Sequence, residues 1–164
     1  MIGSIMTPQI NVTGAAPDTE DIVAITQLIA LYGHAADGSV DLGLVFTDDG
    51  SFDGRATGGT VHRGLDAIRA FFTSPTHPHP PSHQSTNPYV YVDGDVVRVL
   101  SKWMVIDRDG GGGRTGDYHD VVVRTEDGWR IRERVVVCRW WTGGSAGPID
   151  VTPRGAVAGA ERVA

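Results

Sequence analysis

Residues 116–141 read GDYHDVVVRTEDGWRIRERVVVCRWW, two strand-like runs joined by Glu126-Asp127-Gly128. An Asp-Gly pair between alternating, valine-rich segments is a strong hairpin signal, because glycine tolerates the positive φ that tight turns demand. The spacing predicts strands over Gly116–Thr125 and Trp129–Trp141. Successive strand side chains point to opposite faces. Asp117, His119, Val121 and Val123 therefore share one face, and Tyr118, Asp120 and Val122 the other. On the second strand Trp129, Ile131, Glu133, Val135, Val137, Arg139 and Trp141 fall on one side. Arg124, Arg130, Arg132 and Arg134 alternate through the hairpin and read as a solvated strand face. Just upstream, His83–Val92 and Val96–Ile106 flank Asp93-Gly94 and predict a second hairpin. The second half of the chain is thus a run of antiparallel strands.

The first half reads differently. Asp18-Thr19-Glu20-Asp21 is an acidic N-terminal cap, and Ile22, Ile25, Leu28, Ile29 and Tyr32 follow at helical spacing. This predicts a helix over 20–36 that ends at Asp37-Gly38. A short helix from Val40 to Phe46 is expected to stop at the turn-like Thr47-Asp48-Asp49-Gly50. Ser51–Arg55 and Gly59–Arg63 read as short strands, and Gly64–Phe72 as a third helix. Pro75–Pro81, carrying His77 and His79 between prolines, reads as an irregular, exposed loop. The run Gly110–Gly113 reads as a mobile connection. Helices first and long antiparallel strands afterwards indicate an α+β fold. The expected organisation is an arm over 1–17, one domain over 18–142 and a Gly/Ala/Pro-rich tail over 143–164.

Composition narrows the function classes. With 164 residues the chain is long enough for one real core. A formal charge of −6 and scattered arginines argue against nucleic acid as partner. Cys138 is the only cysteine, which excludes an internal disulfide and a cysteine zinc site, and points to a reducing, cytoplasmic location. No segment approaches the roughly 20 apolar residues of a membrane span, and the start lacks the charged and apolar regions of a signal peptide. The glycine run lacks the strand–helix context of a phosphate cradle, and no serine sits in a nucleophile elbow. His77 and His79, separated by proline, make a poor ligand set, so no metal is expected.

The order of motifs resembles the SnoaL-like branch of the nuclear-transport-factor-two-like superfamily. The motifs are Tyr32-x4-Asp37, Phe46-Thr47-Asp48-Asp49-Gly50, Gly64-x3-Ile68, His83-x3-Asn87, Val92-Asp93-Gly94-Asp95, Asp117-Tyr118-His119-Asp120 and Gly128-Trp129-Arg130-Ile131. The resemblance implies a cone: a strongly curved antiparallel sheet wrapped around the helices, in a cystatin-like α+β barrel. It also implies a homodimer or higher homo-oligomer. In dehydratase-like and dehydrochlorinase-like members an Asp at the helix end and a His at this strand start form a buried dyad, and Asp37 and His83 match both positions. A carboxylate bonded to one imidazole nitrogen fixes the tautomer and raises the basicity of the other.

Around that pair, Tyr32 resembles a pocket tyrosine and His119 a cavity-lining polar residue. Trp103, Arg139 and Trp141 are further candidates for contact with substrate, and Trp140 takes that place if a bulge shifts the register. The expected activity is a cofactor-independent lyase or isomerase acting on a small hydrophobic cyclic carbonyl or hydroxy compound, with His83 as base and Asp37 as its orienter. The alternatives are a polyketide cyclase of the same branch and a non-catalytic ligand-binding or dimerisation module. A ketosteroid-isomerase-like reading needs a protonated acid, for which Asp117 and Asp120 are the candidates.

Overall fold

The computed structural model describes residues 17–76, 79–80, 82–106, 112–142 and, as backbone, 144–145. Most of the expected arm and tail, His77 and Gly110–Gly111 lie outside the described residues.

Helix α1 spans Thr19–Ala36, opened by Asp18, whose side chain accepts from the Asp21 N–H at 2.8 Å. Ile25, Leu28, Ile29, Tyr32, Ala35 and Ala36 form its buried stripe. Ile22 was expected to belong to it but is exposed, because it falls on the flank of that stripe in the first turn. Each buried Leu or Ile contributes about 1.5–3 kcal/mol relative to exposure. The stripe therefore fixes the helix far more firmly than its cap does.

The expected second helix over Val40–Phe46 is only a 3-10 turn, Leu42–Leu44, and Phe46 already belongs to strand β1 (Phe46–Asp53). The strand runs through Thr47–Gly50, which reads as a turn in sequence. Its pairing with β6 breaks register between Phe46 and Ser51, so the polar Thr47–Gly50 segment is absorbed as an irregularity within the strand. A second 3-10 turn, Arg55–Thr57, leads to β2 (Val61–Arg63), and α2 covers Leu65–Phe72.

Four long strands follow: β3 (Gln84–Asp93), β4 (Val96–Ile106), β5 (Gly113–Thr125) and β6 (Gly128–Trp141). A two-residue strand, β7 (Gly144–Ser145), pairs with the end of β6. The sheet order is β2-β1-β6-β5-β4-β3, antiparallel throughout except for the parallel β1–β6 pair. Helix α1 touches both the edge strand β3 and the inner strand β6, so the sheet curves around it. Among the described residues, no helix is long and apolar enough to cross a membrane.

Two bulges decide which side chains enter the concave side. Val122 pairs with Ile131 but Val121 pairs with Glu133, so Arg132 is an extra residue on β6. Past it the faces exchange, and Arg134 and Val136 turn inward where a regular strand would point Glu133 and Val135. The reading of Arg134 as part of a solvated arginine face is therefore corrected: it is fully buried, bonded to Asp120. A second offset, Gly116 with Cys138 but Thr115 with Trp140, makes Arg139 extra and changes the faces again.

Candidate active site

Asp37 is the residue at which α1 stops, its N–H bonded to the Gly33 carbonyl at 3.1 Å. His83 immediately precedes β3, after Ser82, whose φ of 61° places it in the left-handed region. Gly33 lets the two segments meet. A Cβ at that position would lie 2.7 Å from the His83 carbonyl oxygen, inside any normal contact. The glycine costs helix propensity, about 1 kcal/mol relative to alanine, and in return α1 packs directly against the His83 backbone.

Asp37 grips His83 three ways. The imidazole Nδ1 lies 2.7 Å from Asp37 Oδ1, and the His83 backbone N–H donates to Oδ1 and Oδ2 at 3.1 and 3.2 Å. The imidazole is 7% exposed and the carboxylate 29%. With Asp37 ionised, Nδ1 carries the proton and Nε2 keeps its lone pair, the arrangement a general base needs.

His83 lines a cavity of about 80 Å³ together with Tyr32, Tyr118, Trp103, Arg114, His79 and an apolar wall of Phe52, Phe71, Phe72, Val105 and Val136. Tyr32 is buried and packs edge-on against His83, Tyr118, Phe46 and Phe72. Trp103 stacks on Tyr118 and donates its indole N–H to the Val137 carbonyl at 3.1 Å. Beneath the two tyrosines lies Arg134, its guanidinium 3.8 Å from the Tyr32 ring centre and 4.1 Å from that of Tyr118. Asp120 holds it with two bonds, at 2.7 and 2.6 Å. Burial alone would lower the Arg134 pKa, but the Asp120 carboxylate overrides this and holds it above its usual range. Burial pushes the Tyr32 phenol up and the Tyr118 phenol well up, so both remain protonated hydrogen-bond donors at neutral pH.

The other expected site residues fall elsewhere. His119 sits on the convex face, on the Asp117 side of β5, because Tyr118 and Asp120 take the inward positions. Arg139 shares that convex face, bonded to Asp117. Asp117 also takes Lys102 at 2.5 Å. Burial works to raise its pKa, but the bonds from Arg139 and Lys102 outweigh it and hold the carboxyl below its usual value. Trp141 pairs with Arg114 and so lies on the inner side of the sheet, but at its end, 40% exposed and outside the cavity wall. Trp140 is likewise exposed. His79, expected in an exposed loop, instead lines the cavity, stacked on Phe72 at 4.4 Å between centres.

Sequence reading missed Tyr118, Arg134 and His79 as site residues. A signal for Arg134 existed. Counting back from the Thr125–Gly128 turn without a bulge sets Asp120 opposite Glu133, and like charges directly opposed are unfavourable. One extra residue brings Arg134 there instead.

A family model for the SnoaL-like domain matches residues 17–135. No functionally curated protein matches. Among solved structures, a Novosphingobium aromaticivorans protein provisionally described as an aromatic ring hydroxylase shares 32% identity, over 74% of this chain and 91% of that one, with a TM-score of 0.61. An NTF2-like protein with a cystatin-like fold from the same organism shares 26% identity over 73% and 82%, with a TM-score of 0.59. A type 2 hexachlorocyclohexane dehydrochlorinase, LinA, shares 16% identity over 83% and 95% at a TM-score of 0.61, a likeness of fold alone. With most of its length matched and the curved sheet in place, the chain belongs to the SnoaL-like family.

Proposed function

We propose that the protein is a cofactor-independent acid/base enzyme that removes a proton next to a carbonyl in a small hydrophobic cyclic substrate, leading to elimination of water. The single observation that carries this is the set of three hydrogen bonds between Asp37 and His83 at the wall of an apolar cavity. His83 Nε2 takes the α-proton, and the C–H electron pair moves toward the carbonyl to form an enolate. Tyr32 and Tyr118, kept protonated by burial, donate to the developing oxyanion. Arg134 stacks on both rings and fixes their positions. Collapse of the enolate then expels the β-hydroxyl.

An isomerase of the protonated-acid type fits less well, because Asp117 is held ionised on the convex face and Asp120 is bound to Arg134. The dehydrochlorinase among the fold neighbours carries out an elimination by name and is in keeping with the reading. Ring closure of a polyketide begins with the same proton removal and is the second reaction this site would serve.

The test is turnover of a panel of cyclic hydroxyketones and enones by the purified protein and by His83→Ala and Asp37→Asn. Both variants are expected to keep the fold and lose most turnover, by about 10²–10⁴-fold for a lost general base. Near-normal rates in both overturn the reading.

We also propose that the protein is a homodimer joined through the convex sheet face. Tyr89, Met104, Ile106 and Trp140 are exposed there, and Leu100, Val135 and Val137 share the face. Light scattering should give twice the 17.5 kDa chain mass, and Trp140→Glu should shift it toward the monomer. A monomer at micromolar concentration contradicts this.

A further inference from the structure

Elimination of water from a hydroxyketone needs two proton movements, removal of the α-proton and protonation of the departing oxygen. Hydroxide is a poor leaving group, so an acid must reach the departing oxygen. The tyrosines are ill suited to this. Their protons are held tightly by burial, and they face the position assigned to the oxyanion.

We propose that His79 is the second catalytic residue, the general acid that protonates the leaving hydroxyl; this rests on the dehydratase reading of the site. His79 and His83 line the same cavity with ring centres 5.9 Å apart, tilted by 44°. A substrate ring cannot fit between them, since two carbon contacts of about 3.5 Å need roughly 7 Å. The two imidazoles therefore lie side by side and address the same face of a bound ring. Neighbouring carbons of that ring present the α-hydrogen to one and the β-hydroxyl to the other.

The setting of His79 suits the role. Its ring is stacked on Phe72 at 14° and meets the edge of Phe71 at 4.6 Å, so it is aimed by packing. His79, Phe72 and Pro80 also form the wall of a much wider outer groove, of about 940 Å³, that runs past Asp37 and Arg69. One side of this wall faces the substrate and the other a wide outer groove, so His79 can regain a proton from water after each turnover.

The step balances. The α-C–H bond breaks and its proton goes to His83 Nε2; the electron pair becomes the new C=C bond. The β-C–O bond breaks, and its oxygen leaves as water with the proton given up by the His79 imidazolium. His83 then loses a proton to solvent and His79 regains one, with no other reactant consumed.

The test compares leaving groups. The probes are one- to three-ring cyclic β-hydroxyketones and their O-acetyl esters, because acetate departs without prior protonation. His79→Gln is expected to lower kcat/KM on the hydroxyketones by about 10²-fold or more and to change the acetates by less than about threefold. His79→Phe keeps an aromatic ring for the Phe72 stack but has no proton to give, and should behave like His79→Gln. His83→Ala should lose both substrates. Equal losses on both leaving groups, or recovery by His79→Phe, show that His79 only packs the wall and overturn the proposal. So does an unaffected His79→Gln. Retained rates in His83→Ala, or no turnover of either probe by the unsubstituted protein, overturn the underlying reading instead.

Discussion

Replacing Arg134 with methionine should be among the most damaging single substitutions in this chain. Arg134 and Asp120 have no exposed side-chain surface and share two bonds of 2.7 and 2.6 Å. Removing the guanidinium leaves Asp120 as an uncompensated buried charge, a loss of about 3–5 kcal/mol. The cation–π stack on Tyr32 and Tyr118 adds about 1–2 kcal/mol for a desolvated site. A total near 5 kcal/mol is a large share of the roughly 5–15 kcal/mol that holds a typical domain together. At about 2–4 °C per kcal/mol for a chain of this size, the melting temperature should fall by roughly 10–20 °C. The informative comparison adds Asp120→Leu to Arg134→Met. Exchanging a buried ion pair for apolar groups of similar size is often neutral or stabilising, so the double variant should recover most of the lost stability. Urea denaturation followed by tryptophan fluorescence, run on the parent, both single variants and the double, measures this directly. A loss below about 1 kcal/mol in Arg134→Met, or a double variant less stable than either single one, would show that the buried ion pair does not hold this part of the core.

Three further outcomes are expected. Gly33→Ala places a Cβ 2.7 Å from the His83 carbonyl oxygen. The helix-propensity gain of about 1 kcal/mol partly offsets the overpacking, so stability should change by less than about 2 kcal/mol while turnover falls at least tenfold as Asp37 and His83 are pushed apart; unchanged kcat excludes the positioning role of this glycine. Burial pushes the His119 imidazole below its ordinary pKa of 6.5, against the opposing pull of Asp117 and Asp120 and with Arg139 and Lys102 adding to the shift. The unfolded chain then binds a proton before the folded one does, so stability falls as pH drops below about 6.5; His119→Gln should show a smaller loss of urea midpoint between pH 8 and pH 5, and an identical loss would remove His119 as a cause. Lys102→Met leaves Asp117 bonded to Arg139 on the convex face and should destabilise without slowing turnover, whereas a selective loss of kcat would mean that this face takes part in the reaction.

The parts of the fold legible in the sequence were those governed by local rules. Asp18 as N-cap, the Asp93-Gly94 and Asp127-Gly128 turns and the stripe from Ile25 to Tyr32 each follow from the chemistry of a few adjacent residues. Thr47–Gly50 misled for the same reason: its composition is that of a turn, but pairing with β6 draws it into a strand. Only tertiary contact decides that. The bulges at Arg132 and Arg139 had the largest consequence for the site. A shift of one residue moves every later side chain to the other face, which is how Arg134 passed from an apparent solvent face to the floor beneath Tyr32 and Tyr118, and why Arg139 lies on the convex side.

The Asp37–His83 pair joins a helix end to a strand start that no local pattern connects. The resemblance to SnoaL-like proteins suggested the pairing, and the structure adds its cause, the Gly33 contact with the His83 backbone. His79 was out of reach because a proline-flanked histidine carries no periodic signal; its place is fixed by the rings of Phe71 and Phe72.

The proton removal proposed for His83 is common to elimination and ring closure, so it can be measured whichever reaction the protein completes. The parent protein, His83→Ala and Asp37→Asn would be incubated in D2O with a panel of cyclic ketones, and loss of the α-proton signal followed by NMR. The parent should exchange the α-proton of at least one ketone, with exchange slowed at least 100-fold in His83→Ala and markedly in Asp37→Asn. Exchange by His83→Ala at the parent rate would contradict this.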